Sequence, residues 1–200
     1  MRAAIACGAA HVGLNFYPPS PRYVRPAEAA ALAALVPKGI TKVGVFVDPT
    51  DREIDAILAE TPLDLLQLHG GEAPERVATL KRQTGLKAMK AISVADAGDI
   101  DRAKDYLGVV DWLMFDAKPP KGMANALPGG NALSFEWRLL AGRTWPVPWM
   151  LAGGLDARNV AEAVRLSGAK VVDTSSGVED APGRKNPEKV RAFLDVVSAL

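Results

Sequence analysis

Residues 64–92 read DLLQLHGGEAPERVATLKRQTGLKAMKAI, and they indicate the fold class most clearly. Two apolar runs, Asp64–His69 and Lys87–Ile92, flank a segment of helical period, Pro74–Gln83. Pro74 suits the first turn of a helix, because its missing N–H would have no intrahelical partner there. Strands separated by a helix pair in parallel, so the stretch predicts a strand–helix–strand unit.

The same alternation extends to both ends of the chain. The other predicted strands are His11–Tyr17, Lys42–Val47, Asp111–Asp116, Pro148–Ala152 and Lys170–Asp173. The other predicted helices are Pro26–Val36, Asp51–Glu60, Ala95–Leu107, Phe135–Leu140, Ala157–Leu166 and Pro187–Ala199. No linker or low-complexity stretch interrupts the pattern. We therefore expect residues 1–200 to form one α/β domain, a parallel sheet covered by helices.

Two parallel architectures fit this alternation, a doubly wound open sheet and a (β/α)8 TIM barrel. The GxGxxG fingerprint of the nucleotide-binding open sheet is absent from the sequence. Isolated polar residues instead end several different strands, which is the arrangement of a barrel active site. These residues are Gln67, His69, Lys90, Asp116 and Asp173. We predict the barrel, although seven strands are predicted and a closed barrel has eight.

The beginning of the chain indicates where the eighth strand belongs. Residues Met1–Cys7 are Ala-rich, like the last turns of a helix, and Gly8 suits its C-terminal cap. We therefore expect the chain to start inside the first helix, with the first β-strand of the barrel missing. Cys7 would then lie at the bottom of the barrel, whereas barrel active sites lie at the top. We interpret Cys7 as a packed structural thiol.

The composition excludes several classes of protein. With 24 basic and 23 acidic residues, the net charge of +1 predicts no nucleic-acid surface. A single cysteine excludes a disulfide framework within the chain and a multi-cysteine zinc site. No apolar run approaches the ~18 residues of a membrane span, and the first residues lack the pattern of a secretory signal. We expect a cytoplasmic enzyme that binds neither nucleic acid nor membrane.

Three features carry candidate chemistry. Asp116 ends the run LMFD beside the Gly/Pro segments AKPPKG and LPGG. A carboxylate in that position suits proton transfer, and a helix cap or a solvated loop acid is the alternative.

The pairs Gly153–Gly154 and Ser176–Gly177 follow the last two predicted strands. Barrels often bind phosphate at these loops, because glycine lets backbone N–H groups approach an anion. An ordinary turn would explain either glycine motif alone equally well. Because both motifs occur, one after each of the last two predicted strands, we predict a phosphate site.

Two further polar residues are candidates for the site. Arg22, in SPRY after the first predicted strand, can clamp a carboxylate in bidentate fashion, or it can be an ordinary surface arginine. His69, at the end of QLHG, is either a polar group of the site or a strand-end histidine bonded to backbone. The two histidines lie well apart in sequence, so no metal site is predicted.

Together these motifs resemble the phosphoribosylanthranilate isomerase family of tryptophan biosynthesis. The resemblance runs in family order over essentially all 200 residues. The stretches that carry it are FYPPSPRYV, KVGVFVD, LDLLQLHGGEAPE, LMFDAKPPKG, LPGGNALSFEW, LAGGLDARNVAEA and DTSSGVEDAPGRKNPEKVRAF. The combination of QLHG, FDAKPP and SSGVE-APG-K is the most specific part.

The resemblance implies a (β/α)8 barrel that performs an Amadori rearrangement without cofactor or metal. The implied substrate is N-(5-phosphoribosyl)anthranilate, and the implied product is 1-(2-carboxyphenylamino)-1-deoxyribulose 5-phosphate. Asp116 matches the general acid that opens the ribose ring, and Arg22 matches the arginine that holds the anthranilate carboxylate. The positions that match phosphate loops are Gly153, Gly154, Ser176 and Gly177. His69 and Asp173 match polar positions that line the site. A monomer and a homodimer both remain open.

Two departures from the family pattern bear on the site, while Glu136 in place of the usual Asp and Thr174 in place of the common Val look tolerable. The family's general base is a cysteine in a Lys-Ile-Cys-Gly motif at the end of the first strand, and the 200 residues contain no such motif. Cys7 aligns with the following helix and does not replace that base. The family's Gly-Gly-Thr-Gly or Gly-Gly-Asn-Gly loop reads Gly129-Gly130-Asn131-Ala132 here. Ala132 would be strained if the position requires a positive φ.

These departures leave more than one function open. General base catalysis typically contributes ~10²–10⁴-fold, so we expect little or no activity from the 200-residue chain itself. Our first hypothesis is an isomerase whose native chain starts upstream of Met1. The alternatives are a truncated, non-catalytic relative that binds a phosphorylated ligand, and another barrel isomerase of the tryptophan or histidine pathway.

Overall fold

The computed structural model describes residues 1–119 and 127–200. Six parallel strands form one sheet: β1 (His11–Asn15), β2 (Thr41–Phe46), β3 (Leu65–Leu68), β4 (Lys87–Val94), β5 (Trp112–Ala117) and β6 (Trp149–Leu151). The α-helices are α1 (Arg2–Ala6), α2 (Pro26–Ala33), α3 (Asp51–Glu60), α4 (Pro74–Thr84), α5 (Ala97–Asp101), α6 (Val160–Ser167) and α7 (Pro187–Ser198). Short 3₁₀ helices span Arg102–Tyr106, Trp137–Leu140 and Ser176–Val178, and β7 (Glu179–Ala181) pairs with β8 (Arg184–Lys185) in an antiparallel hairpin.

The order of the strands decides between the two predicted architectures. Each strand pairs with the next one in sequence, from β1 to β6, and the order never reverses. A doubly wound sheet reverses its order at a switch point. Because parallel crossovers are right-handed, an unreversed order keeps all helices on one face, and the sheet curls into a half-barrel. The prediction of a parallel α/β fold is confirmed, and the doubly wound alternative is wrong.

The alternation of side chains divides the core into two layers. The concave face of the sheet buries Val43, Leu65, Met89, Ala91, Met114, Met150 and Ala152. On the opposite face, Leu66, Leu68, Leu113 and Phe115 form one buried cluster with helix residues such as Ile54 and Leu80. Successive residues of a strand point to opposite faces. Gln67 and His69 therefore follow Leu65 to the concave side.

The ends of the helices follow from their sequences. Proline occupies the first turn of α2, α4 and α7, as predicted. Gly8 adopts φ +82° after α1. Its N–H bonds the carbonyl of Ile5, and the N–H of Ala9 bonds that of Ala4, which is the Schellman pattern of a helix end. Asp156 accepts hydrogen bonds from the N–H groups of Arg158 and Asn159, so it caps a turn before α6 rather than a helix starting at Ala157.

Other elements differ from the sequence expectation. The predicted strand Lys170–Asp173 forms only one parallel bridge, from Leu151 to Val172, because β6 ends within three residues. The predicted helix Phe135–Leu140 is reduced to the 3₁₀ turn Trp137–Leu140. The β7–β8 hairpin was not predicted, since strands of three and two residues carry no readable alternation. None of the helices in the described ranges has the length and apolar character needed to cross a membrane.

A buried ion pair fixes the loop that follows β3. Lys90 points to the helix side of the sheet, where its Nζ lies 2.8 Å from Oε2 of Glu72. The same Nζ donates to the carbonyls of Leu68 and Gly70 at 3.2 and 2.7 Å. Glu72 in turn accepts from the N–H groups of Asp48 and Gly70. The prediction that Lys90 belongs to the polar strand ends of a site is wrong, because alternation places it on the opposite face from His69.

We expect Lys90→Met to lower the free energy of unfolding by roughly 3–5 kcal/mol, because it leaves the carboxylate of Glu72 buried without its cation. Chemical denaturation measures this change. Lys104→Met removes the lysine of the exposed pair with Asp101 and provides the matched control. Its unfolding midpoint should stay essentially unchanged, because exposed pairs contribute little. Equal effects of the two substitutions would contradict a structural role for the Lys90–Glu72 pair.

Candidate active site

A histidine and an aspartate meet at the carboxyl ends of the parallel strands. His69 follows β3, and Asp116 lies near the end of β5. Nε2 of His69 is 3.1 Å from Oδ2 of Asp116, and both side chains are buried. The carboxyl ends of parallel strands share one edge of a sheet, so two residues 47 positions apart in sequence become neighbours.

The partner of the second ring nitrogen determines the tautomer of His69. The amide nitrogen of Gln67 lies 2.9 Å from Nδ1 of His69 and 3.4 Å from Sδ of Met114. Because an amide nitrogen only donates, Nδ1 accepts and Nε2 carries the proton. Nε2–H therefore donates to Oδ2 of Asp116, and the other carboxylate oxygen accepts the N–H of Ala117 at 2.8 Å. Asp116 is oriented by both of its oxygens.

A second carboxyl group, Asp173, lies on the segment that bridges to β6. Its N–H donates to the carbonyl of Leu151 at 2.8 Å. Burial raises the pKa of Asp173, and the negative charge of Asp116 raises it further. A carboxyl group with a raised pKa keeps its proton to higher pH than a free aspartate does. The site therefore has a group that can retain a proton beside Asp116.

The two predicted phosphate loops lie against each other and against Asp116. Gly153 has φ +96°, and a methyl group there would lie 2.7 Å from the amide nitrogen of Ala117 and 3.1 Å from Oδ1 of Asp116. A methyl group at Gly177 would collide with the carbonyl oxygen of Leu155. Only glycine permits these backbone approaches. The loops at 153–155 and 175–177 thus form one surface, and Gly154 and Ser176 belong to it.

A third glycine segment covers the aspartate and the histidine. A methyl group at Gly129 would lie 2.5 Å from Oδ2 of Asp116 and 2.7 Å from Nε2 of His69. A methyl group at Gly130 would lie 2.6 Å from Nη1 of Arg22. Asn131 ties the segment together, since its side chain bonds both the N–H and the carbonyl of Leu127. Residues 120–126 of the AKPPKG motif and the stretch after it lie outside the described residues.

Arg22 already holds a carboxylate of its own chain. Its Nε and Nη2 donate to the two oxygens of Glu179 at 2.9 and 2.8 Å. Burial alone would raise the pKa of Glu179, but hydrogen bonds from Arg22 and Lys185 hold that pKa below its usual value. Burial lowers the pKa of Lys185. The bidentate edge of the guanidinium is therefore occupied, and Nη1 is the nitrogen that faces the glycine segment.

The structure joins most of the predicted site residues in one place. Asp116 is in contact with His69 and Gly153, the charge of Asp116 acts on Asp173, and Arg22 adjoins Gly130. Gln67 was noted at a strand end without a role, although its spacing of two from His69 indicates the same face. Glu179 and Lys185 lie within the stretch DTSSGVEDAPGRKNPEKVRAF. Nothing in the local sequence indicates that Glu179 binds both Arg22 and Lys185. Cys7 is half-buried at the end of α1, before the start of β1 and so away from this edge.

Comparison with known proteins assigns a family to this arrangement. The sequence matches the profile of the family described as N-(5'phosphoribosyl)anthranilate (PRA) isomerase over residues 1–196. The N-(5'-phosphoribosyl)anthranilate isomerase of Paramagnetospirillum magneticum is 59% identical over 194 residues, which are 97% of this chain and 89% of that relative.

Solved structures agree with that assignment. The crystal structure of phosphoribosyl anthranilate isomerase from Thermotoga maritima aligns with a TM-score of 0.86 at 31% identity, over 100% of this chain and 93% of that one. A phosphoribosyl anthranilate isomerase in complex with reduced 1-(o-carboxyphenylamino)-1-deoxyribulose 5-phosphate aligns with a TM-score of 0.81 at 28% identity, over 100% and 92% of the two chains. The half-barrel described above is therefore the arrangement found in these structures.

Ala132 provides a test of strain in the glycine segment. Ala132 adopts φ +56°, a positive value at which we expect an alanine backbone to be strained. We expect Ala132→Gly to raise the free energy of unfolding by about 1 kcal/mol, because glycine has no Cβ to clash in the left-handed region. Ala141 is also exposed but has φ −58°, so Ala141→Gly should destabilise slightly. The midpoints of thermal unfolding of both variants test this expectation. A lower midpoint for Ala132→Gly than for the unsubstituted chain would show that Ala132 is not strained.

Proposed function

This chain belongs to the N-(5'-phosphoribosyl)anthranilate isomerase family, and from that premise we propose how its residues divide the reaction. It is an isomerase of tryptophan biosynthesis. The reaction is an Amadori rearrangement: the ribose ring opens to a Schiff base, a proton leaves C2′, and the enolamine tautomerises to the ketone. The observation that supports our assignment of roles is the His69–Asp116 pair, enclosed by three glycine loops.

We assign the general acid to Asp116. When Asp116 gives its proton to the ring oxygen of the ribose, the bond between that oxygen and C1′ breaks and a carboxylate remains on the enzyme. Nε2–H of His69 and the N–H of Ala117 already point at the two oxygens of that carboxylate. Donors placed in advance stabilise the charge that develops during the step. His69 is then a positioning group for Asp116, and Asp173 is the nearby carboxyl group that can replace the proton.

The two ends of the substrate have complementary partners. Its phosphate group fits the loops of Gly153, Gly154, Ser176 and Gly177, where backbone can approach an anion without side chains in between. Its aromatic carboxylate fits Nη1 of Arg22, end-on, because the bidentate edge of the guanidinium is held by Glu179. The relative's ligand carries the same two groups, a carboxylate and a phosphate.

We further propose that the six strands and the Lys170–Asp173 segment are seven parts of an eight-stranded barrel. The sheet runs from β1 to β6, and Val172 continues it beyond β6. In the described ranges, only one bridge, from Asn15 to Tyr23, lies on β1 outside its ladder with β2. One further parallel strand between β1 and Val172 would close the barrel. By its resemblance to the family, that strand would bring the cysteine that removes the C2′ proton.

Asp116→Asn tests the assignment of the acid. We prepare the chain preceded by a strand ending in Lys-Ile-Cys-Gly and follow turnover of N-(5-phosphoribosyl)anthranilate by chromatography. The variant should lose about 10²–10⁴-fold in kcat, because an amide cannot donate this proton. Asp55→Asn, on the exposed face of α3, is the matched control and should keep its rate. An Asp116→Asn enzyme with more than a third of the activity would refute the role.

Growth rescue separates the proposed function from its alternatives. The strand-completed chain should rescue a bacterial host that lacks the tryptophan-pathway isomerase. Rescue of a histidine-pathway mutant instead would favour another barrel isomerase. Binding of the phosphorylated ligand without turnover, in both the 200-residue chain and the completed chain, would favour a non-catalytic relative.

Gly129→Ala tests whether the glycine segment closes over the acid. Its methyl group would push the segment away from Asp116 and His69, and misplacement of about 1 Å can cost ~10²-fold in rate. We expect kcat/KM to fall by about that factor in the strand-completed enzyme. Gly108→Ala is the control, because nothing lies within 4 Å of a methyl group there. Unchanged kcat/KM in Gly129→Ala would show that the segment does not need to approach Asp116 during the reaction.

A further inference from the structure

One carboxylate lies between two cations beside the proposed substrate carboxylate site. Oε1 of Glu179 accepts from Nε of Arg22 and from Nζ of Lys185, both at 2.9 Å. Oε2 accepts from Nη2 of Arg22 at 2.8 Å. The side chain of Glu179 is only 4% exposed, and that of Arg22 is 12% exposed. Three charged groups are therefore held together with a net charge of +1, and Glu179 and Arg22 have little access to water, whereas the side chain of Lys185 is 42% exposed.

The cluster connects two segments that lie far apart in sequence. Nζ of Lys185 also donates to the carbonyl of Ser175 at 2.7 Å and lies 3.2 Å from its hydroxyl oxygen. Gly183, with φ +82° between β7 and β8, packs so closely on Pro21 that a methyl group would collide with its carbonyl oxygen. The β7–β8 hairpin thus joins the Arg22 loop to the start of the proposed phosphate loop.

Stability alone does not account for this arrangement. Burying a salt bridge costs desolvation that the Coulomb attraction barely offsets, and apolar replacements of such pairs are often neutral or stabilising. The cluster instead fixes the orientation of the Arg22 guanidinium. A guanidinium bound through Nε and Nη2 cannot rotate about its long side chain, so Nη1 keeps one direction, toward Gly130.

We propose that Glu179 and Lys185 are positioning residues, which hold Arg22 at a fixed place relative to Ser175–Gly177. The site would then select ligands that carry a carboxylate and a phosphate at one separation. This inference rests on the proposed function, because it requires that Arg22 binds the carboxylate of the substrate. It assigns a role to Glu179 and Lys185, which the sequence motif alone did not give.

The test compares two ligands that differ in one group. The first probe is reduced 1-(o-carboxyphenylamino)-1-deoxyribulose 5-phosphate, and the second is the same compound without the carboxylate. Calorimetry gives the ratio of their affinities for each variant. This ratio is independent of the fraction of folded protein, so a destabilised variant still gives an answer. Binding needs no turnover, and the 200-residue chain serves as it is.

We expect Glu179→Gln to weaken binding of the carboxylate probe about tenfold, as for a lost charged hydrogen-bond network, and binding of the second probe less than twofold. Glu179→Asp keeps the charge with a shorter arm and should restore part of the ratio. Lys185→Met should weaken both probes, because Lys185 also holds Ser175. Asp180→Asn, an exposed acid on the same hairpin, is the matched control and should leave the ratio unchanged.

Two results would overturn the inference, and they differ from a failure of the proposed function. If Arg22→Ala abolishes the preference for the carboxylate probe but Glu179→Gln does not change it, Arg22 needs no positioning by Glu179. If Lys185→Met changes neither affinity, Lys185 has no part in it. If Arg22→Ala itself leaves the ratio unchanged, Arg22 does not bind the carboxylate, and both its proposed role and the inference are wrong.

Discussion

The site depends on one constraint, the sequential parallel pairing of six strands in register. This pairing brings the carboxyl ends of all the strands to one edge, where His69 after β3 reaches Asp116 of β5. It also divides each strand by alternation, because a shift of one residue moves every side chain to the other face. Gln67 and His69 point inward while Lys90 points outward, although all three are polar residues on or just after neighbouring strands. Register, rather than residue type, decides which of these side chains can face the proposed site.

Buried charges around this edge act mainly on loops. Lys90 and Glu72 are paired on the helix side and gather the backbone of the turn that carries His69. Arg22 and Glu179 form a second buried pair, which connects the loop after β1 to the β7–β8 hairpin. Each pair costs desolvation when it forms, and each offsets this with direct hydrogen bonds to backbone or to a second charge. Loops without regular structure thereby acquire fixed positions, which a site built from several loops requires.

Local patterns in the sequence predicted the local structure. They did not predict contacts between residues that lie far apart in the sequence. The strand–helix alternation predicted all six strands of the sheet, and the prolines predicted the starts of α2, α4 and α7. Alternation could also have excluded Lys90 from the site, since Met89 and Ala91 beside it are the inward residues. The pairing of Arg22 with Glu179 spans 157 positions, and no spacing rule connects them. The Lys170–Asp173 segment shows the same limit, because its pairing depends on how soon β6 ends.

The glycines of the site share a physical role that their individual turns do not explain. Gly129, Gly153 and Gly177 each stand where a Cβ would collide with a carboxylate oxygen of Asp116 or with a backbone atom of a neighbouring loop. Three loops can therefore approach each other with backbone alone, which leaves amide groups rather than side chains to face a ligand. Amide N–H groups carry partial positive charge without a titrating proton, so under the proposed roles they would bind a phosphate while Asp116 donates its proton nearby. If anion binding is separated from proton transfer in this way, one small site can hold the two anionic groups of the proposed substrate without placing a further titrating side chain beside the proposed acid.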